Sequence, residues 1–469
     1  MTFKKMIKKL FLLTVTLLFL ANCQEINKKP IIHLKPLNIV SLDRVIQDAE
    51  NLYTYSETGN SEGQYLAESR SVLRDAIDKA KLSIKCSAKQ QYEAEVSLSE
   101  ACMIFESTVN SQITGLVDEC ATKETRYLYE NLKRIASNKM LFGMHDATGY
   151  GVGWSDDDKR SDVKDVCGSL PALFSWDMYT IFKGNKKKWV SFRNRILDAY
   201  NQRGIISICW HQYDPVQTEF SSQSIKYKPI PQMLPGGKYH EYYKTKLKKI
   251  ALFVKTLRGE SGESVPIIFR PYHEQNGNWF WWGKTYRTEL EFIEFWQFTV
   301  EYLRDSLGVH NFIYAFSPDG NQYEFKKDYM IDYPGDDYVD ILGMDYYFGS
   351  GDAQDIDRFK QRVVHIVEYA EERNKIAAIT EVGDRKGWNT SQLLIDKWFT
   401  KCLLNPVKND KTSRMVAYAA VWRNENETHH FAPYPGHPSV PDFIEFYNDS
   451  FTVFLDNLDN MFINNPMNR

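Results

Sequence analysis

Short apolar runs that end in a polar or charged residue recur from about residue 124 onward, separated by stretches with apolar positions at helical spacing. Such alternation predicts a βα architecture. Strands are expected at Met140–His145, Pro171–Asp177, Ile205–His211 and Val265–Arg270, the last running on to Glu274. Four more are expected at Phe312–Ser317, Val339–Asp345, Lys375–Glu381 and Met415–Arg423, with helices over Val190–Arg203, Leu247–Leu257, Leu290–Leu307 and Phe359–Arg373. Parallel strands buried on both faces read as continuous apolar runs, and an active site at their C-terminal ends explains the polar terminus of each. The economical fold is an α/β protein, a (β/α)8 TIM barrel over residues 124–460.

Upstream the period changes. Leu42, Val45, Ile46, Ala49 and Leu52 recur at helical spacing, as do Leu66, Leu73, Ala76, Ile77, Ala80 and Ile84, and then Ala94, Leu98, Ala101, Cys102 and Phe105. Three amphipathic helices are expected within 38–112, a small spacer module. Thr58–Gly63 breaks the first two and Ser87 caps the third. Ahead of them, Lys4, Lys5, Lys8 and Lys9 precede the apolar run Leu10–Ala21, which is too short to span a bilayer with ease. Residues 1–22 therefore read as an export signal. Leu20-Ala-Asn-Cys23 resembles a bacterial lipobox, which makes Cys23 the expected lipidation site and 23–37 a tether to the cell envelope. A conventionally cleaved signal with an incidental cysteine is the alternative.

Composition narrows the partner. Lys+Arg 58 against Asp+Glu 61 gives no electrostatic reason to bind nucleic acid, and 14% aromatic residues suit either core volume or rings that stack on sugars. Apart from Cys23, the cysteines are Cys86, Cys102, Cys120, Cys167, Cys209 and Cys402, an even number in an exported chain, so disulfides are allowed. Their irregular spacing lacks the close pairs of a zinc site, and Cys209 reads as a small buried strand residue. The run Asp156–Asp158 reads as a solvated loop.

Glu274 and Glu381 close two of the predicted strands. A retaining glycoside hydrolase needs two carboxyl groups about 5–5.5 Å apart, one exchanging a proton while the other attacks the anomeric carbon. Glu274 precedes Trp279, Trp281 and Trp282, whose low polarity would keep it protonated as a general acid, whereas Arg270 near Glu381 would keep that group ionised as a nucleophile. Trp281 and Trp282 fit core or subsite lining equally. The strand-end histidines His145, His211 and His273 are not arranged as a zinc site, so neither metal nor cofactor is expected.

The motifs Phe142-Gly-Met-His-Asp146, Pro171–Asp177, Trp210-His211, Arg270–Gly283, Gly343-Met-Asp-Tyr-Tyr347, Thr380-Glu-Val-Gly383 and Val421-Trp-Arg423 resemble glycoside hydrolase family 26, best known for endo-β-1,4-mannanases, in the family's order. The resemblance implies Glu274 as acid/base and Glu381 as nucleophile. It implies that His273 and Tyr347 position these carboxylates, and that Asp345 and Arg423 bind sugar hydroxyls or orient neighbours. Trp279 and Trp422 would stack on sugars, and His211 would touch substrate. The first strand reads Gly-Met-His-Asp where many relatives have Gly-His-Gln-Asp, so His145 carries no matched role. The expected partner is a β-mannan, met by a monomer that touches membrane only through its lipid. Two alternatives stay open: a relative cutting mixed-linkage β-glucan or β-1,3-xylan, and a cell-surface glycan-binding protein without chemistry.

Overall fold

The computed structural model describes residues 39–464 except 112, 114, 137, 217–219, 223–224 and 389–394. The export signal, Cys23 and the tether lie outside the described residues.

Eight parallel strands form a closed barrel: β1 Met140–His145, β2 Leu173–Asp177, β3 Ile205–Trp210, β4 Ile267–Pro271, β5 Phe312–Phe316, β6 Ile341–Phe348, β7 Ile376–Asp384 and β8 Val416–Val421. β8 closes onto β1 with Leu141 opposite Tyr418 and Met144 opposite Val421. A short strand, β9 Thr452–Val453, adds to the start of β1. All eight barrel strands are buried along almost their whole length, which accounts for the uninterrupted apolar runs. The expected helices form at Lys186–Asn201, His240–Lys255, Glu289–Glu301 and Ala353–Glu372. The third stops short of Leu307 because one π-helical segment, Tyr302–Ser306, replaces its last turn.

Three strand ends lie three residues from where they were expected, and the others lie within two. β4 stops at Pro271, and the chain then turns through Tyr272 (φ 51°) and Glu274 (φ 52°), both left-handed. β6 and β7 run beyond Asp345 and Glu381, to Phe348 and Asp384, with a register shift between Met344 and Asp345. Such an irregularity re-aims side chains where a strand leaves a barrel.

Before the barrel, α1 Leu42–Tyr55, α2 Ala67–Leu82 and α3 Ala88–Ser107 pack around a separate core of Leu42, Ile46, Leu52, Leu73, Ile77, Leu98 and Phe105. Ser87 caps α3 in a capping box with Gln90. The helices meet the barrel through Glu106, which is 0% exposed and accepts from Arg258 Nη1 at 2.7 Å, Ser264 N at 2.7 Å and Ser264 Oγ at 2.9 Å. Asn51 adds a bond to the Glu260 carbonyl at 3.0 Å. Arg258, Glu260 and Ser264 precede β4, so this seam lies at the N-terminal ends of the strands. Cys86, Cys102, Cys167, Cys209 and Cys402 are free thiols, and Cys209 is buried in β3 as expected.

Candidate active site

At the C-terminal ends of the strands a cleft of about 260 Å³ is lined by His211, His273, Glu274, Trp279, Phe280, Asp319, Tyr347, Glu381, Arg385 and Trp422. Both expected carboxylates therefore share one cavity. Each stands there for a different local reason.

Glu274 sits on the left-handed turn after β4. Conformations of this kind cost about 1–3 kcal/mol each and persist only where the surroundings impose them. Here the Glu274 N–H donates to the Ser317 carbonyl at 2.9 Å, and Trp282 Nε1 donates to the His273 carbonyl at 2.8 Å. The side chain accepts from Trp279 Nε1 at 2.6 Å. Burial, with the charges of Asp319, Asp345 and Glu381 added, holds the Glu274 carboxyl well above the usual range, and the indole bond opposes this only in part. Arg270 pairs elsewhere, and among the described residues Glu274 has no ion pair to keep it charged.

Glu381 lies within β7 and is served by cationic and hydroxyl donors. Arg270 Nη2 reaches its Oε2 at 2.8 Å, and the Tyr347 hydroxyl donates to Oε1. Arg270 is itself fixed from behind, with Nη1 at 2.6 Å from Asp345 and 3.0 Å from Ser317 Oγ. Thr380 Oγ1 holds the other Asp345 oxygen at 2.7 Å. Asp345 is 0% exposed and lies beneath the cleft. The Arg270 guanidinium thus bridges Asp345 and Glu381.

His211 lines the cleft and bonds through Nδ1 to Asp177 at 2.9 Å. Burial acts to raise Asp177, but His211, the Tyr179 N–H and His145 together outweigh it and hold the carboxyl below its ordinary value. The His273 ring stands edge-on to His211, 4.6 Å between centroids, and burial pushes His273 well below the usual imidazole value, so it is neutral. Trp422 stacks on His145 at 4.0 Å, which gives His145 a place under an aromatic wall. Arg423 stands outside the cleft lining, bonded to Tyr150 Oη at 3.1 Å and to Glu425 at 3.0 Å. Trp281 and Trp282, both 0% exposed, belong to the core, their indoles bonded to backbone carbonyls. Asp156–Asp158 is exposed, although Asp156 and Asp157 belong to a small hairpin.

Sequence reasoning passed over Phe280, Asp319 and Arg385. Asp319 follows the apolar run of β5 by three residues, the same signal that marked the other strand ends. Arg385 follows Glu381 by four residues and carried no comparable signal.

Residues 117–413 match the sequence profile of Glycosyl hydrolase family 26. The mannan endo-1,4-beta-mannosidase of Bifidobacterium adolescentis is 32% identical over 335 residues, 68% of this chain and 33% of that protein. The enzyme of the same description from Bacillus subtilis is 37% identical over 285 residues, 56% of this chain and 70% of its own length. A solved structure, the modular endo-beta-1,4-mannanase from Cellulomonas fimi, superposes with a TM-score of 0.70 at 34% identity, covering 74% of this chain and 79% of that one. The chain therefore spans about a third of the Bifidobacterium relative and most of the other two. By the profile it matches, and by carrying that match on the barrel whose cleft holds Glu274 and Glu381, the chain belongs to glycosyl hydrolase family 26.

Proposed function

We infer that the protein is a retaining endo-β-1,4-mannanase. The observation that carries the reading is the opposite setting of two carboxyls in one cleft: Glu274 buried among other acids with no ion pair among the described residues, Glu381 held by Arg270 and Tyr347. Opposite surroundings of this kind divide an acid from a nucleophile. In the first step Glu381 attacks the anomeric carbon while Glu274 gives its proton to the glycosidic oxygen. The leaving chain departs and a covalent glycosyl-enzyme remains. In the second, Glu274, now ionised, takes a proton from water, which displaces Glu381 with net retention.

Trp279 and Trp422 offer ring faces to the apolar sides of pyranose units, and His211 offers a hydrogen bond oriented by Asp177. His273, neutral, packs beside the acid. Asp345, sealed below Arg270, fits an orienting role instead of contact with sugar. Arg423 reaches the rim through Tyr150. The named activities of the Bifidobacterium, Bacillus and Cellulomonas relatives support mannan as the polymer. Assays on β-1,4-mannan, mixed-linkage β-glucan and β-1,3-xylan under one condition test this. Mannan is expected to lead by at least about tenfold in kcat/KM, equivalent to about 1.4 kcal/mol, and preference for either other polymer overturns the substrate.

The basic and apolar start of the chain with Leu20-Ala-Asn-Cys23 supports export and acylation at Cys23. Among the described residues no helix is long and apolar enough to cross a membrane. Cys23→Ser is expected to release the protein from the membrane fraction, and unchanged association would remove the lipid anchor from the account.

A further inference from the structure

Two charged side chains of the cleft have no part in the two steps above, Asp319 and Arg385. Neither falls in the motifs that resemble the family, so the resemblance gives them no role. Asp319 follows β5, and the chain there is held on both flanks. On one side Asn276 Nδ2 donates to the Asp319 carbonyl at 2.9 Å and Asp319 N donates to Asn276 Oδ1 at 2.8 Å, which ties Asp319 to the loop that carries Glu274. On the other, Asp345 N donates to the Pro318 carbonyl at 3.0 Å, which joins the segment to β6. Arg385 is the residue directly after β7.

Both side chains keep polar atoms that the protein does not use. Asp319 is 5% exposed, and its Oδ1 accepts from Asn321 N at 2.8 Å and from Asn321 Nδ2 at 3.2 Å. Its Oδ2 makes no hydrogen bond among the described residues and is not sealed from solvent, so it opens on the cleft. Arg385 is exposed, and its guanidinium makes neither a hydrogen bond nor an ion pair among the described residues. The two stand too far apart to pair, yet close enough to act on each other: burial raises the Asp319 carboxyl, while the Asn321 bonds and then the Arg385 charge oppose the rise. An open acceptor and open charged donors therefore share one part of the cleft. Sugar hydroxyls donate and accept at once, so a carboxylate near a guanidinium suits two neighbouring hydroxyls of one unit.

We propose that Asp319 and Arg385 act together as specificity-determining residues, which read neighbouring hydroxyls of the sugar on the leaving-group side of the cut. One hydroxyl donates to Asp319 Oδ2, and its neighbour accepts from the Arg385 guanidinium. The barrel places them for this. Glu274 follows β4 and Glu381 lies in β7, so a chain crossing between the two carboxyls passes over β5 and β6 on one side and over β8, β1, β2 and β3 on the other. Trp422 and His211 serve the second side, and Asp319 the first. Because Glu274 gives its proton to the leaving oxygen and Asn276 binds Asp319 to the same loop, the first side is the leaving one.

The proposal rests on the reading as a retaining mannanase, and its test lets the two fail separately. Parent, Arg385→Ala and Asp319→Asn proteins are compared on mannotetraose and on an aryl β-mannobioside, which brings no sugar to the leaving side. Arg385→Ala is the cleaner variant, since burial and the Asp319 charge also hold the Glu274 proton. It is expected to lower kcat/KM on mannotetraose by at least about tenfold and on the aryl mannobioside by under about twofold, with Tm unchanged. Asp319→Asn, which keeps an oxygen for Asn321, is expected to lower the ratio of the first substrate to the second, and the double variant to lose less than the product of the single losses, because both groups hold one unit. An unchanged ratio in Arg385→Ala, or equal loss on both substrates, overturns the proposal. Binding of mannotetraose and of cellotetraose in the Glu381→Ala background, followed by ligand-observed NMR, needs no hydrolysis. Adding Arg385→Ala is expected to weaken whichever of them is bound by at least about fivefold. Equal binding with and without Arg385 overturns the pair even where mannan is the substrate, binding of cellotetraose alone overturns mannan while the same variant still decides the pair, and binding of neither overturns both.

Discussion

Glu274 holds its proton because it is buried beside Asp319, Asp345 and Glu381, while Arg270, four residues earlier, is committed to Asp345 and Glu381. Removing either carboxyl is expected to abolish most turnover, but in different ways. On an aryl mannoside whose leaving group needs no protonation, Glu274→Ala keeps a fast first step and Glu381→Ala does not. Equal loss in both would sink the assignment. Because the Glu274 carboxyl is raised and acts protonated, kcat/KM should fall as pH rises through its value, and this alkaline limb should vanish with the same aryl substrate. Tyr347→Phe deletes a hydrogen bond to the ionised Glu381, worth about 1.5–3 kcal/mol. Its kcat is expected to drop by about 10- to 150-fold, and a change under twofold would mean that Arg270 alone suffices. Glu274 and Glu381 could be read from the chain because an acid at the end of an apolar run is a local signal. The burial of Asp345 was not legible, since it arises from β5 and β7 pairing on either side of β6 and from Arg270 reaching it from β4.

The barrel strands and the three leading helices were visible as elements, because an uninterrupted apolar run and a period of 3.6 residues are both written in adjacent positions. Their ends were less so. Nothing local announces that β4 stops at Pro271, as the turn is held by bonds to Ser317 and Trp282 far along the chain. The seam between α3 and the barrel was likewise hidden, because Glu106 reads as an ordinary charged residue at the end of an amphipathic helix. Glu106→Ala would leave Arg258 buried without its carboxylate, and is expected to cost about 3–5 kcal/mol in thermal or urea unfolding with kcat changed by under about threefold. A similar kcat loss and stability loss would tie the seam to catalysis. Glu124, at the start of the helix Lys123–Ile135, is pushed up to about 7 by burial, with Lys123 opposing and Glu263 and Glu106 adding. The fold thus favours its protonated form. The penalty is absent below the ordinary 4.5, grows from there to about 7, and is constant above. Glu124→Gln should therefore be more stable than the parent at pH 8, by up to about 3 kcal/mol, and nearly equal at pH 4. A gain independent of pH would contradict this assignment.

At the scale of the molecule, the helical module and the catalytic cleft occupy opposite ends of the barrel, joined by strands that run the full distance between Glu106's partners and Glu274. Deletion of residues 38–112 is expected to lower stability while leaving kcat on a soluble oligosaccharide within about threefold, a barrier change under about 0.7 kcal/mol. The central claim is that these two carboxyls act by double displacement on a β-mannosidic bond. Proton NMR of manno-oligosaccharide hydrolysis, recorded before mutarotation, tests it most directly. The new reducing end is expected to appear first as the β-anomer. First appearance of the α-anomer, or no cleavage of the mannosidic bond, would contradict it.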